Sequence, residues 1–198
     1  MTKYLDEWQP NNLRQVSRQV RSDDESLTFL NVRSCAALVV VPAGSKTLTG
    51  VHLQVGHGKA KFDKPEEKEA KLAERATILQ QLRAAAGPGE LDAYIVCAWD
   101  FYSHGTLPRD LKKFARFVYL CDVPPAKSGE AEVDVLVKME GNVHAYVRQK
   151  AEDLLDAQGK RIPKPGYDYR TSEPGSPANE TDEKSKPWMP VHYTRLFK

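Results

Sequence analysis

The strongest constraint on the fold is an unbroken apolar run of six residues, Ala36 to Val41. A strand that is covered on one face only would alternate apolar and polar residues, and this run has no polar position. Its valines favour strands, and Pro42, Gly44 and Ser45 supply a turn directly after it. The run therefore predicts a strand in a sheet that is covered on both faces.

One long helix is predicted over residues 65–86. Pro65 stands at its first turn, Glu66 and Glu67 favour its N-terminal end, and the Gly87-Pro88-Gly89 sequence ends it. Its predicted apolar stripe consists of Leu72, Ala76, Leu79, Leu82 and Ala86.

The other segments alternate between strand and helix patterns. Strands are predicted over residues 27–32, 48–55, 91–99, 118–123, 132–139 and 143–147, and shorter helices over 12–20, 108–118 and 151–157. The pattern favours an α/β or α+β fold with a central mixed β-sheet flanked by helices and a Pro-rich irregular C-terminal tail. We expect a polar N-terminal segment (1–25), an α/β catalytic-type domain (26–158) and an extended tail (159–198). The apolar end of the tail is expected to fold back over the sheet, with contact to a partner as the alternative.

Composition excludes several classes of function. The 198 residues carry 29 Lys and Arg against 27 Asp and Glu, a formal charge of +2, which gives no basic field for nucleic acid. Three widely spaced cysteines form neither a disulfide framework nor a zinc motif, and no apolar run has the length of a membrane span. We therefore expect no metal, no nucleic acid and no membrane. The N-terminus lacks a signal-peptide core, which predicts a cytoplasmic protein or one secreted without a classical signal peptide. Oligomeric state is left open.

The candidate chemistry is a cysteine and a histidine on consecutive predicted strands. Cys35 precedes the apolar run, and His52 follows seventeen positions later, two positions after Gly50. An imidazole is the usual group that takes a proton from a nucleophilic thiol at neutral pH. The alternative is a buried cysteine beside an ordinary strand histidine, because free cysteines are among the most buried residues.

The residues Ser34-Cys35 and Gly50-Val51-His52 resemble the signature of the chemoreceptor glutamine deamidase CheD and of the cytotoxic necrotizing factor type of deamidase. Arg33 stands where that signature usually has glycine. The resemblance covers residues 26–60 and implies that Cys35 attacks a glutamine carboxamide while His52 acts as base and then acid. It also implies backbone N–H groups at Ser34 and Cys35 as oxyanion donors, Thr28 as the residue that orients the imidazole, and a site without a cofactor.

Three further residues compete for a role in binding or catalysis. His57 lies five positions beyond His52, which would place it on the opposite side of a continuing strand. Asp100 and His104 follow a predicted central strand, where α/β folds often place functional groups, although capping and loop roles are more common.

Two functions are therefore carried forward. The first is a cysteine hydrolase, in particular a deamidase that converts glutamine to glutamate on a protein substrate, as a bacterial effector or toxin does. Transglutaminase and protease activities belong to the same chemistry. The second is a non-catalytic α/β binding, immunity or adaptor protein whose C-terminal tail contacts a partner.

Overall fold

The chain folds as a mixed α+β protein in which two β-sheets pack face to face and helices cover the outer face of one of them. The computed structural model describes residues 2–5, 18–20, 26–32, 35–53, 64–97, 106–123, 133–149 and 188–197. Within these ranges, no helix is long and apolar enough to cross a membrane.

The six-stranded sheet contains the apolar run near its centre. Its strands are β2 (Arg18–Val20), β4 (Ala36–Pro42), β5 (Leu48–Leu53), β6 (Leu91–Cys97), β7 (Ala115–Asp122) and β11 (Thr194–Arg195). Their order in the sheet is β11-β7-β6-β4-β5-β2, with β4 antiparallel to both β5 and β6, and β6 parallel to β7. This sheet is the predicted central mixed sheet.

The five-stranded sheet consists of β1 (Thr2–Leu5), β3 (Ser26–Val32), β8 (Val133–Glu140), β9 (Asn142–Gln149) and β10 (Met189–Val191). The strands lie in the order β1-β3-β8-β9-β10. β8 and β9 form a hairpin whose turn contains Gly141 at a positive φ of 76°, a conformation that glycine adopts without strain.

The two faces of β4 serve two different cores. Ala37 and Val39 belong to the core between the sheets, together with Phe29 of β3. Leu38 and Val40 belong to the core beneath the helices α1 (Pro65–Ala86) and α2 (Leu107–Lys112). Both sets are fully buried, which explains why the run contains no polar residue.

Helix α1 begins and ends where the sequence predicts, but its buried face differs from the predicted stripe. Ala76 is exposed, whereas Arg75 is only 2% exposed. The Arg75 guanidinium donates hydrogen bonds to the Thr106 hydroxyl and to the Asp110 carboxylate, which ties α1 to α2. A buried charge of this kind needs such partners, and they come from a distant part of the chain.

Two predicted helices differ from the structure. The second helix is shorter than predicted: α2 ends at Lys112 and β7 begins at Ala115, where residues 108–118 were expected to be helical. Arg18–Val20 forms β2 and pairs with β5, so the end of the helix expected over 12–20 is a strand. Residues 12–17, 54–55, 98–99 and 151–157 lie outside the described residues.

The end of the C-terminal tail contacts both sheets. β10 pairs with β9 of one sheet and β11 pairs with β7 of the other. The Arg195 guanidinium lies 3.9 Å from the centre of the Phe117 ring, and Leu196 N donates to the Val118 carbonyl at 2.9 Å. Leu196 and Phe197 pack against the core beneath the helices, and Val191 and Tyr193 pack against the core between the sheets, whereas Met189 is 49% exposed.

Candidate functional site

The candidate site lies where three strands of the six-stranded sheet begin or end. β4 starts there, and β5 and β6 end there, because both run antiparallel to β4. Ser34, His57, Asp100 and His104 lie outside the described residues.

His52 faces the core between the two sheets. A Cβ placed on Gly50 would lie 2.8 Å from Leu27 Cδ1 and 2.9 Å from Phe29 Cζ, so this face of β5 meets the second sheet. His52 is two positions along the same strand and shares that face. Its ring lies edge-on to the Phe29 ring, with 6.4 Å between centroids and 82° between planes, and the side chain is 1% exposed.

Cys35 lies immediately before β4 and is 7% exposed. It is two positions before Ala37, which faces the core between the sheets and pairs directly with His52. Cys35 is a bend residue outside β4; if the alternation of β4 extended to it, Cys35 would be a diagonal neighbour of His52, and such neighbours have Cα atoms about 7–8 Å apart.

Thr28 is not brought to the imidazole. It is buried on β3 between Leu27 and Phe29, both of which face the core between the sheets. Thr28 therefore points to the opposite face of its sheet. The neighbour of His52 on this strand is Phe29, which the sequence reasoning did not single out. The only signal for it was the period-two alternation with Leu27.

The other two cysteines are chemically quiet. Cys97 faces the core beneath the helices, and Cys121 faces the core between the sheets. Burial raises the pKa of the Cys121 thiol to about 12 and the pKa of Cys97 further, with the nearby Asp122 carboxylate adding to both. At neutral pH these thiols are therefore protonated, and a protonated thiol is a poor nucleophile.

Iodoacetamide should therefore modify Cys35 before Cys97 and Cys121 in the native protein near pH 7. A pKa of about 12, against an ordinary value of 9.0, lowers the thiolate fraction of Cys121 roughly a thousandfold. Timed labelling followed by peptide mass mapping measures the three rates separately. Equal and slow labelling of all three cysteines would contradict the order.

Metal chemistry finds no obvious ligand set in the described ranges, where no three His, Cys, Asp or Glu side chains cluster as a metal site requires. None of the three cysteines forms a disulfide.

The fold is α+β, and its candidate site combines a buried histidine on β5 with a buried cysteine immediately before β4, the strand that pairs with β5. No family model and no curated protein matches the chain. Among solved structures, the chain is similar to a Neisseria meningitidis protein assigned to the DUF152 family, with 13% identity and a TM-score of 0.30. The match covers 59% of this chain and 50% of that one, so it spans half the length of the solved structure.

Proposed function

We propose that the chain is a cysteine hydrolase that converts glutamine side chains of a protein substrate to glutamate. The observation that supports the proposal is the pairing of Ala37 with His52, because Ala37 stands two residues after the buried Cys35. The resemblance of Ser34-Cys35 and Gly50-Val51-His52 to the CheD signature supports a carboxamide as the group attacked.

The proposed reaction has two steps. His52 removes the proton of the Cys35 thiol, and the sulfur forms a bond to the carboxamide carbon. The carbon–nitrogen bond then breaks, the protonated imidazole gives its proton to the leaving nitrogen, and ammonia departs from a thioester. Water, deprotonated by His52, attacks the thioester and releases glutamate and the thiol. The scheme consumes one water per amide and needs no oxidant or reductant.

The second candidate is a non-catalytic α/β binding, immunity or adaptor protein. The burial of both Cys35 and His52 favours it, because side chains that are 7% and 1% exposed can serve simply as core. The end of the tail pairs with strands of its own chain, so a partner of this candidate would meet other surfaces or displace β10 and β11.

Mass analysis of substrates distinguishes the two candidates. Casein and the cytoplasmic fragment of a chemoreceptor serve as probes, and each should gain about one dalton per amide converted, or about three in water labelled with oxygen-18. Peptide mapping should place the gain on glutamine residues. The Cys35→Ser variant, folded as judged by circular dichroism, should produce no gain.

The same experiment separates the related activities. Incorporation of an added primary amine in place of water would show transglutaminase activity, and cleavage of the probe would show protease activity. An unchanged mass for both probes, together with slow alkylation of Cys35, would favour the binding protein. We place the proposed enzyme in the cytoplasm, or in a target cell that it enters as an effector without a classical signal peptide.

A further inference from the structure

A glycine and an aromatic ring pack against each other beside the candidate base. Phe29 is fully buried, and the tip of its ring stands so close over Gly50 that any Cβ there would meet Phe29 Cζ at 2.9 Å. The same ring stands edge-on to His52, two positions further along β5. The ring therefore contacts the imidazole because residue 50 has no side chain.

The Phe29 ring restricts rotation of the imidazole about the terminal side-chain torsion of His52. The terminal torsion of histidine has a broad energy profile, so an imidazole without close neighbours can present either ring nitrogen over a range of directions. A perpendicular ring in a close-packed core removes part of that freedom, because rotation would drive imidazole atoms into the neighbouring ring. Leu27 Cδ1 also lies over Gly50, at 2.8 Å from a hypothetical Cβ.

We infer that Phe29, which packs over Gly50, is a positioning residue that holds the His52 imidazole toward Cys35. The inference rests on the proposed function, because it assigns His52 the role of base. Phe29 acts through His52 and does not itself touch the reacting atoms.

The test compares Phe29→Leu with Leu27→Ala as a matched control. Both residues are fully buried on the same face of β3 and both lie over Gly50, and Phe29 is the one whose ring stands edge-on to the imidazole. Nitrogen-15 spectra give the tautomer and the pKa of His52, and timed alkylation gives the rate of Cys35 as a function of pH. A general loss of packing would affect both variants, whereas loss of positioning would affect only one.

Phe29→Leu should lower the rate of Cys35 alkylation near pH 7 by about tenfold and change the tautomer ratio of His52. Leu27→Ala should leave the pH profile and the tautomer ratio unchanged. Gly50→Ala adds a Cβ that would displace the Phe29 ring, so it should reproduce the effect of Phe29→Leu. It replaces that variant if Phe29→Leu does not fold.

The outcomes for the inference and for the proposed function differ. Unchanged His52 spectra and unchanged Cys35 alkylation in both Phe29→Leu and Gly50→Ala would overturn the positioning role, even in a protein that deamidates its substrate. Equal effects of Phe29→Leu and Leu27→Ala would also overturn it. A wild-type protein that deamidates neither probe, combined with a selective effect of Phe29→Leu, would support the positioning role and count against the deamidase.

Discussion

For the proposed deamidase, replacing His52 should slow the reaction by about a hundredfold to ten-thousandfold, the usual contribution of a positioned general acid or base. The same change should slow alkylation of Cys35 near pH 7, because the thiol would lose the group that removes its proton. The rate should recover as the pH rises, since hydroxide then produces the thiolate without help. Alkylation of Cys35 measured from pH 6 to pH 10 gives the full profile.

Two variants of His52 separate chemistry from packing. His52→Ala removes the base and also leaves a cavity, because the side chain is 1% exposed and lies against Phe29. His52→Leu removes the base and keeps most of the apolar volume. Slow alkylation in both variants supports the role of the imidazole. A wild-type pH profile for Cys35 in both would show that His52 is not its base.

Replacing Asp110 by alanine should lower the free energy of unfolding by about 3 kcal/mol, because it removes the carboxylate that accepts from a buried guanidinium. Arg75 is 2% exposed, so the solvent cannot take over the role of Asp110. The change should loosen the contact between α1 and α2, which cover the face of the six-stranded sheet opposite to His52. Urea unfolding, with the slope held to the wild-type value, measures the loss.

Asp92→Ala is the matched control for this prediction. Asp92 also accepts two hydrogen bonds from an arginine, at 3.1 and 2.8 Å, but Arg116 is 38% exposed. The control should lose far less stability, because water replaces the lost contacts of an exposed ion pair. The double change Arg75→Met with Asp110→Leu should recover much of the loss, since apolar residues can replace a buried ion pair. Equal losses for Asp110→Ala and Asp92→Ala would contradict the importance of burial.

Local sequence patterns predicted the elements that depend on neighbours in the chain. The helix from Pro65 to Ala86 has its start and stop signals within a few residues of its ends, and the structure confirms both boundaries. The strand from Ala36 to Pro42 was recognised from its apolar run. The β7 strand was predicted too late, because Ala115 to Phe117 fits a helical face as well as a strand and only pairing with β6 decides between them.

The faces of these elements were harder to predict. A charged residue in a helix usually lies on the exposed face, so Arg75 was left off the apolar stripe of α1 and Ala76 was placed on it. The structure reverses the two, because Asp110 and Thr106 come from another part of the chain to accept from the guanidinium. Likewise, alternation in β3 separates Thr28 from Phe29, but the sequence does not say which of the two faces His52.

The sequence by itself therefore determined the α+β class, the long helix, the central strand, and the placing of Cys35 directly before that strand and of His52 on the next one. The tertiary structure alone decided that a second sheet covers β4, that the tail pairs with both sheets, and that Phe29 rather than Thr28 meets the imidazole. The physical reason is that hydrogen-bond pairing and core packing join residues far apart in sequence. Local propensity and periodicity specify an element and its two faces, and only the partner packed against it selects the face that becomes a site.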